Sequence, residues 1–398
     1  MTVARKSGAL RSDRSARAAR RARTAAIGAA AVAAAALFAV APAASAASPA
    51  HSRGNGGGAP VFVQSDNTSA NTVVAYHRAG DGTLSQSGVY GTGGRGGMLD
   101  GSQVDHLASQ GSLAYDQSHQ LLYAVNAGSN TITVFAVRGD RLQRLQVIAS
   151  GGAFPVSIAF HGSQVYVLNA LDGGSVQGFA RIGNHLVSVP SWHRKLGLDP
   201  SATPQFTHTP GQVAFTPDGN ELVVTTKAAA NTIDVFPLGR LGGPGAPVVT
   251  STPDAVPFGF VFDRAGRLQV TEAGPNAVAT FVLTRDGRLL KVGEVPTEQM
   301  ATCWVVATGD RLYASNAGSG SLSGFRVPAR GALTPLGNTA THAGTVDAAA
   351  SSDGHYVYVQ TGAAGTVDEF RVGAGGSLTA IGSVTVPGAV GGEGIAAG

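Results

Sequence analysis

Apolar residues along this chain come in short alternating runs, each closed by a turn rich in Gly, Asn or Asp. Residues 121–135 show the unit most clearly: LLYAVNAGSNTITVF is a strand, a polar turn and a second strand ending in an aromatic. Alternation over four to eight residues bounded by turn residues is the signature of strands rather than helices. The same cadence returns as VFVQSDNTSANTVVAY ending at Tyr76, QVYVLNALDGGSVQGF at Phe179 and ELVVTTKAAANTIDVF at Phe236. It returns again as RLQVTEAGPNAVATF at Phe281, RLYASNAGSGSLSGF at Phe325 and YVYVQTGAAGTVDEF at Phe370. Seven copies result, and their terminal aromatics lie 59, 44, 57, 45, 44 and 45 residues apart.

A period near 45 residues with four short strands per unit is the spacing of a propeller blade. The expected fold is therefore all-β: a seven-bladed β-propeller with four-stranded blades over 61–398. Most units open with an inner strand such as Val156 to Phe160 or Gln212 to Phe215. The first unit has none, and a matching segment, Gly394-Ile-Ala-Ala397, stands at the C-terminus. The ring should close by pairing that segment into the first blade, which removes a free sheet edge. Two intervals, 59 and 57, exceed the base period, and the surplus falls in 91–109 and 187–212. Both stretches precede an inner strand, so both should lie on the face that carries the Asn/Gly turns. Long loops gathered on one face are where binding and catalysis concentrate.

Composition alters one conclusion. The chain has 28 Lys+Arg against 24 Asp+Glu, a formal +4. Residues 1–46 hold eight of the basic residues (Arg5, Lys6, Arg11, Arg14, Arg17, Arg20, Arg21 and Arg23) and only Asp13 among the acids. The remainder carries 20 basic and 23 acidic residues, so no nucleic-acid partner is expected. A basic stretch, an Ala-rich apolar segment from Thr24 to Val40, Pro42 and then Ala44-Ser45-Ala46 read as a secretory signal cleaved near Ala46. The apolar segment is short for a membrane span of about 20 residues. The expected organisation is a signal peptide over 1–46, a flexible linker over 47–60, and an exported, monomeric propeller with no integral membrane segment after cleavage. One cysteine in 398 residues excludes an intramolecular disulfide framework.

The YAVNAGSNTITVF and SNAGSGSLSGF segments, with Pro217-Asp-Gly219 before a second strand, resemble the seven-bladed lactonase family. Those propellers are similar to bacterial 6-phosphogluconolactonase and fungal carboxymuconate cyclase, and the resemblance covers about 61–398. Gly-His and Trp-Asp repeats of the WD40 kind are absent. The resemblance implies lactone chemistry at the channel mouth through an acid, a histidine and arginines. Val270-Thr-Glu272 matches the context of the acid. His208 stands about three residues upstream of the place where the histidine is expected. Val256-Pro-Phe258 and Cys303-Trp304 occupy the positions of two arginines, which this chain lacks.

Lactone hydrolysis requires a base that activates water and a donor or cation that stabilises the oxyanion. Glu272, one of six glutamates, is the candidate base, or else a carboxylate accepting turn amides. Lys227, in the corresponding turn of the preceding blade, is the candidate cation, or a solvated turn residue. His208 is the candidate donor to the ring oxygen. Phe258, Cys303, Trp304 and Asp347 are expected to line the ligand site; Cys303 also reads as a small buried hydrophobe and Asp347 as a turn cap. Asn126, Asn169 and Asn316 recur at one repeat position and read as turn-capping residues. No cofactor or metal is expected. The expected ligand is a lactone or a glycan-like small molecule. The alternative is a non-catalytic propeller that presents its long loops to a cell-wall glycan or a protein.

Overall fold

The computed structural model describes residues 58–398; the expected signal peptide and most of the linker lie outside the described residues. Seven sheets of four antiparallel strands follow one another around a ring. Blade 1 orders the strands Ile395–Ala397, Pro60–Gln64, Thr72–Arg78 and Leu84–Gly91 from the axis outward. Blades 2 to 7 span residues 113–149, 155–195, 212–251, 257–296, 302–340 and 345–385. The ring closes as the sequence predicts. Ile395, Ala396 and Ala397 pair with Val63, Phe62 and Val61. Gln64 N–H donates to Gly394 O at 2.8 Å, and Gly398 N–H donates to Pro60 O at 2.8 Å.

Burial follows from position in the blade. Second strands such as Leu121–Asn126 and Tyr356–Thr361 are buried along their whole length, because a neighbouring blade covers each face. Outer strands such as Leu84–Gly91 are mostly exposed, since only one row packs inward. The seven terminal aromatics are all buried in these inter-blade layers. In six blades the register of the third strand against the outer strand slips at the aromatic or immediately before it, as at Ala75/Tyr76 and Val134/Phe135. A bulge there adds local twist, and a twisted blade meets its neighbours obliquely enough to close a ring.

Neighbouring blades are also tied through their hairpins. Tyr313 and Tyr358 each donate a hydroxyl hydrogen bond of 2.8 Å to a glycine carbonyl in the next blade, Gly376 and Gly82. Tyr166 bonds Gly242 in the same way. All three glycines hold φ between +84° and +95°, where a Cβ would meet the packed neighbours. Among the described residues, no helix is long and apolar enough to cross a membrane.

Candidate active site

A cavity of about 140 Å³ opens on the face carrying the turns between second and third strands. The two long connections of the sequence, 92–112 and 196–211, both reach it: the first supplies Val104, Asp105 and Ala108, the second Phe206 and Thr207. Lys227, Phe258, Cys303 and Trp304 complete its inner surface. The insertions therefore build the site.

Lys227 holds the two connections together. It sits in the 3-10 turn Lys227–Ala229 at φ +50° and is fully buried. Its Nζ donates to Ala108 O at 2.6 Å, Phe206 O at 2.7 Å and Thr209 Oγ1 at 3.0 Å. An ammonium has three donors, and all three are used. The nitrogen also lies 5.3 Å from the centroid of the Phe258 ring, within cation–π range. Burial pushes the Lys227 pKa down to about 7, against the opposing pull of Asp105 and, more weakly, Cys303 and Glu393.

Asp105 is the carboxylate of the cavity. Its Oδ1 accepts the Leu107 N–H at 2.8 Å and its Oδ2 the Ser109 N–H at 3.0 Å. The Ala108 amide also points at the carboxylate. Burial lifts its pKa to about 7, while those amides and Lys227 pull the other way. Cys303 is a poor nucleophile, because burial pushes its thiol up to about 12. Trp304 packs edge-to-face on Phe258 with centroids 4.9 Å apart, and its Nε1–H donates to Ser109 O at 2.5 Å.

Below the cavity, toward the axis, lie three more buried carboxyl groups: Asp66, Asp347 and Glu393. Glu393 N–H donates to Asp66 Oδ2 at 2.9 Å, and Asp347 Oδ1 accepts the Ala348 N–H at 2.9 Å. Ser109 Oγ lies 3.0 Å from Glu393 Oε2 and 2.9 Å from Val156 O. Ser109 has one hydroxyl proton, which the carbonyl can only accept. That proton is shared between the Glu393 carboxyl oxygen and the Val156 carbonyl. Burial and the neighbouring Asp105, Asp347 and Asp66 raise the Glu393 pKa well above the ordinary range, against the pull of the Ser109 hydroxyl. Burial likewise lifts Asp66 to about 8 and Asp347 to about 6. Among the described residues, no group of three His, Cys, Asp or Glu side chains has the geometry of a metal site.

The structure does not assemble the predicted trio of Glu272, His208 and Lys227. Glu272 ends the strand Leu268–Glu272, is fully buried, and accepts Lys291 Nζ at 2.8 and 3.2 Å; Lys291 reaches it from the outer strand Leu289–Pro296 and also binds Glu294. The reason is strand parity. Thr271 bonds inward to Gly259 O and Cys303 O, and Ala273 lines the cavity, so Glu272 between them falls on the other face. His208 is offset similarly: Thr207 faces the cavity, while His208 lies in a separate small crevice with Nδ1 3.0 Å from Pro204 O. Phe258, Cys303 and Trp304 line the cavity, whereas Asp347 belongs to the acid cluster beneath it.

No family model matches the sequence, and no curated protein matches it. Solved structures do. The periplasmic gluconolactonase of Pseudomonas aeruginosa superposes with TM-score 0.69 at 19% identity, over 85% of this chain and 98% of that one. A Bacteroides uniformis protein provisionally named a 6-phosphogluconolactonase gives TM-score 0.69 at 18% identity, covering 85% of this chain and 99% of its own. The chain has the lactonase-type seven-bladed propeller fold. The virginiamycin B lyase of Staphylococcus aureus is more distant, with TM-score 0.50 at 13% identity over 67% of this chain and 82% of that one. Among the described residues, no arginine lines the cavity: Lys227 is its single cationic lining residue, and that cation is already saturated.

Proposed function

We propose that this protein is an exported propeller that binds a small ring ester in the channel-mouth cavity and hydrolyses it with Asp105 as general base. The observation that carries the reading is Asp105 itself: a buried carboxyl in the wall of an apolar cavity, held by backbone amides, with its pKa lifted to about 7. A base poised near the working pH is what water activation requires. Asp105 takes a proton from water as the water oxygen adds to the ester carbonyl. The ring C–O bond then breaks, and the alkoxide leaves with that proton as the hydroxyl of a hydroxy acid. Lys227 makes no direct bond to substrate in this scheme; its charge holds the two loops and offsets negative charge developing above it. Export rests on the basic, Ala-rich leader ending at Ala46.

The test is turnover of a lactone panel followed by pH-stat. Asp105→Asn should reduce kcat at least ~100-fold, the usual contribution of a general base, with binding retained. One specific observation favours a non-catalytic reading. All three Lys227 donors are consumed by the protein, which leaves the cavity without a free cationic donor for an oxyanion. Saturable binding with no turnover over the whole panel would establish that second reading.

A further inference from the structure

Apart from the Asp105 carboxyl and Gln103, the polar groups around the cavity are directed into the protein. The Lys227 donors, the Trp304 Nε1–H and the Ser102 hydroxyl are all given to backbone carbonyls or to Thr209. What faces the cavity is carbon: Phe206, Phe258, Trp304, Val104, Val256 and the small Ala273. A hydroxyl buried against such walls without a partner costs about 1–3 kcal/mol. A sugar lactone carries several hydroxyls, so most of its polar groups would be desolvated and unmatched. A phosphorylated sugar fares worse, because Asp105 faces it and no free guanidinium or ammonium lines the cavity.

Size points the same way. An apolar protein cavity of about 150 Å³ holds one benzene ring, and this one measures about 140 Å³. One unsubstituted six-membered ring fills it. Met300, next in the chain to Ala301 of the lining, is 61% exposed; a Cβ on Gly318, next to Ala317 of the lining, would lie 3.0 Å from its Cβ. An exposed methionine beside an apolar cavity offers a flexible surface on which an alkyl chain can lie. Gln103, at the exposed edge, is the polar side chain within the lining that can orient an ester carbonyl.

We propose that the cavity takes an apolar six-membered ring ester bearing an alkyl substituent, and excludes hydroxylated and phosphorylated sugar lactones. The proposal rests on the cavity being the ligand site, as in the functional reading above, but not on its catalysing hydrolysis. Non-hydrolysable probes separate the two: 2-pentylcyclohexanone for the alkyl ring ester and 1,5-anhydroglucitol for the sugar lactone. The chain has two tryptophans, so a Trp192→Phe background leaves Trp304 as the fluorescent reporter inside the cavity.

In that background, 2-pentylcyclohexanone should change Trp304 emission saturably, and 1,5-anhydroglucitol should bind at least tenfold more weakly. Cyclohexanone without the chain should bind more weakly than its pentyl derivative. Ala273→Phe, which fills the cavity, should weaken the pentyl probe at least tenfold; the wild-type probe ranking stands independently if that variant misfolds. Equal or tighter binding of 1,5-anhydroglucitol overturns the proposal. So does an unchanged affinity in a folded Ala273→Phe protein. If the pentyl probe binds as stated and no lactone is turned over, hydrolysis falls and the apolar site stands. If a sugar lactone is turned over while the pentyl probe does not bind, the reverse holds.

Discussion

Replacing Asp66 with asparagine should stabilise the protein, and more so as pH rises. Asp66 is fully buried, and burial raises its pKa from 3.8 to about 8. In the unfolded chain it loses its proton near 3.8, so between these values the native state binds more protons than the unfolded state. Stability from this group is therefore fully present below pH 4 and is lost as pH rises toward 8. At about 1.4 kcal/mol per pH unit, raising the pH from 5 to 8 costs about 4 kcal/mol through Asp66 alone. For a propeller of this size that is a fall in Tm of about 6 °C. Asparagine keeps the contacts. Its Oδ1 can accept the Glu393 N–H, and its Nδ2 can donate to Gln64 Oε1, which now lacks a partner, once the Gln64 amide turns over. Asp66 also holds φ +49°, a conformation asparagine tolerates well. Asp105, Asp347 and Glu393 shift in the same direction, so the variant should flatten the profile without abolishing its slope. Lys227, depressed to about 7, works oppositely and only above that pH. The assay is Tm by calorimetry from pH 5 to 8 for both proteins. Parallel curves would show that Asp66 is ionised at no cost, and the argument for the protonated cluster would fail.

Three further outcomes follow from the same geometry. Deleting residues 394–398 opens blade 1; loss of buried Ile395 and Ala396 costs about 3 kcal/mol and the lost strand pairing about 1 kcal/mol per hydrogen bond. Tm should fall by about 5–10 °C, and an unchanged melt would show that the ring is held without its terminal strand. Lys227→Met leaves the Ala108 and Phe206 carbonyls unpaired, at a cost of about 3–5 kcal/mol. Limited proteolysis should then cut within 92–112 and 196–211, and equal resistance in both proteins would remove Lys227 as the tie between the loops. Cys303, with its thiol pushed up to about 12, should react with a disulfide reagent at pH 7 about 10³-fold more slowly than a free thiol until the protein unfolds. Rapid native labelling would reveal an activated thiol instead.

What was legible in the sequence was whatever repeats or interrupts a repeat. The aromatic at the end of each third strand recurs because every blade meets its neighbours in the same way, and one lost inner strand at the start pointed to its replacement at the end. The two surplus intervals marked the loops that build the cavity, since an insertion disturbs the period wherever it falls. Phe258, Cys303 and Trp304 come together at that cavity because they occupy repeat positions near the axis. Glu272 went astray by a single residue of parity. A second strand buried on both faces gives no polar–apolar contrast by which to tell which side a carboxylate takes, so the sequence context of the residue carried no information about its face.

Asp105, Asp66 and Glu393 illustrate a different gap. Each comes from a separate part of the chain, and they meet only because the ring closes: Glu393 N–H reaches Asp66, and Ser109, four residues past Asp105, reaches Glu393. No local pattern encodes a cluster made by closure. One signal was present all the same. After Arg371, Glu393 is the only charged residue in the chain, set between glycines just ahead of the closing strand. A lone carboxyl in a segment that must be buried has to be protonated or paired. Burial and the neighbouring Asp105, Asp347 and Asp66 raise its pKa well above the ordinary range, so the strand that completes the fold places a carboxyl that holds its proton beneath Asp105. Asp105 is itself lifted to about 7 by burial, and its charge is one of those that hold the proton on Glu393, so ring closure and the titration of the proposed base belong to one physical arrangement.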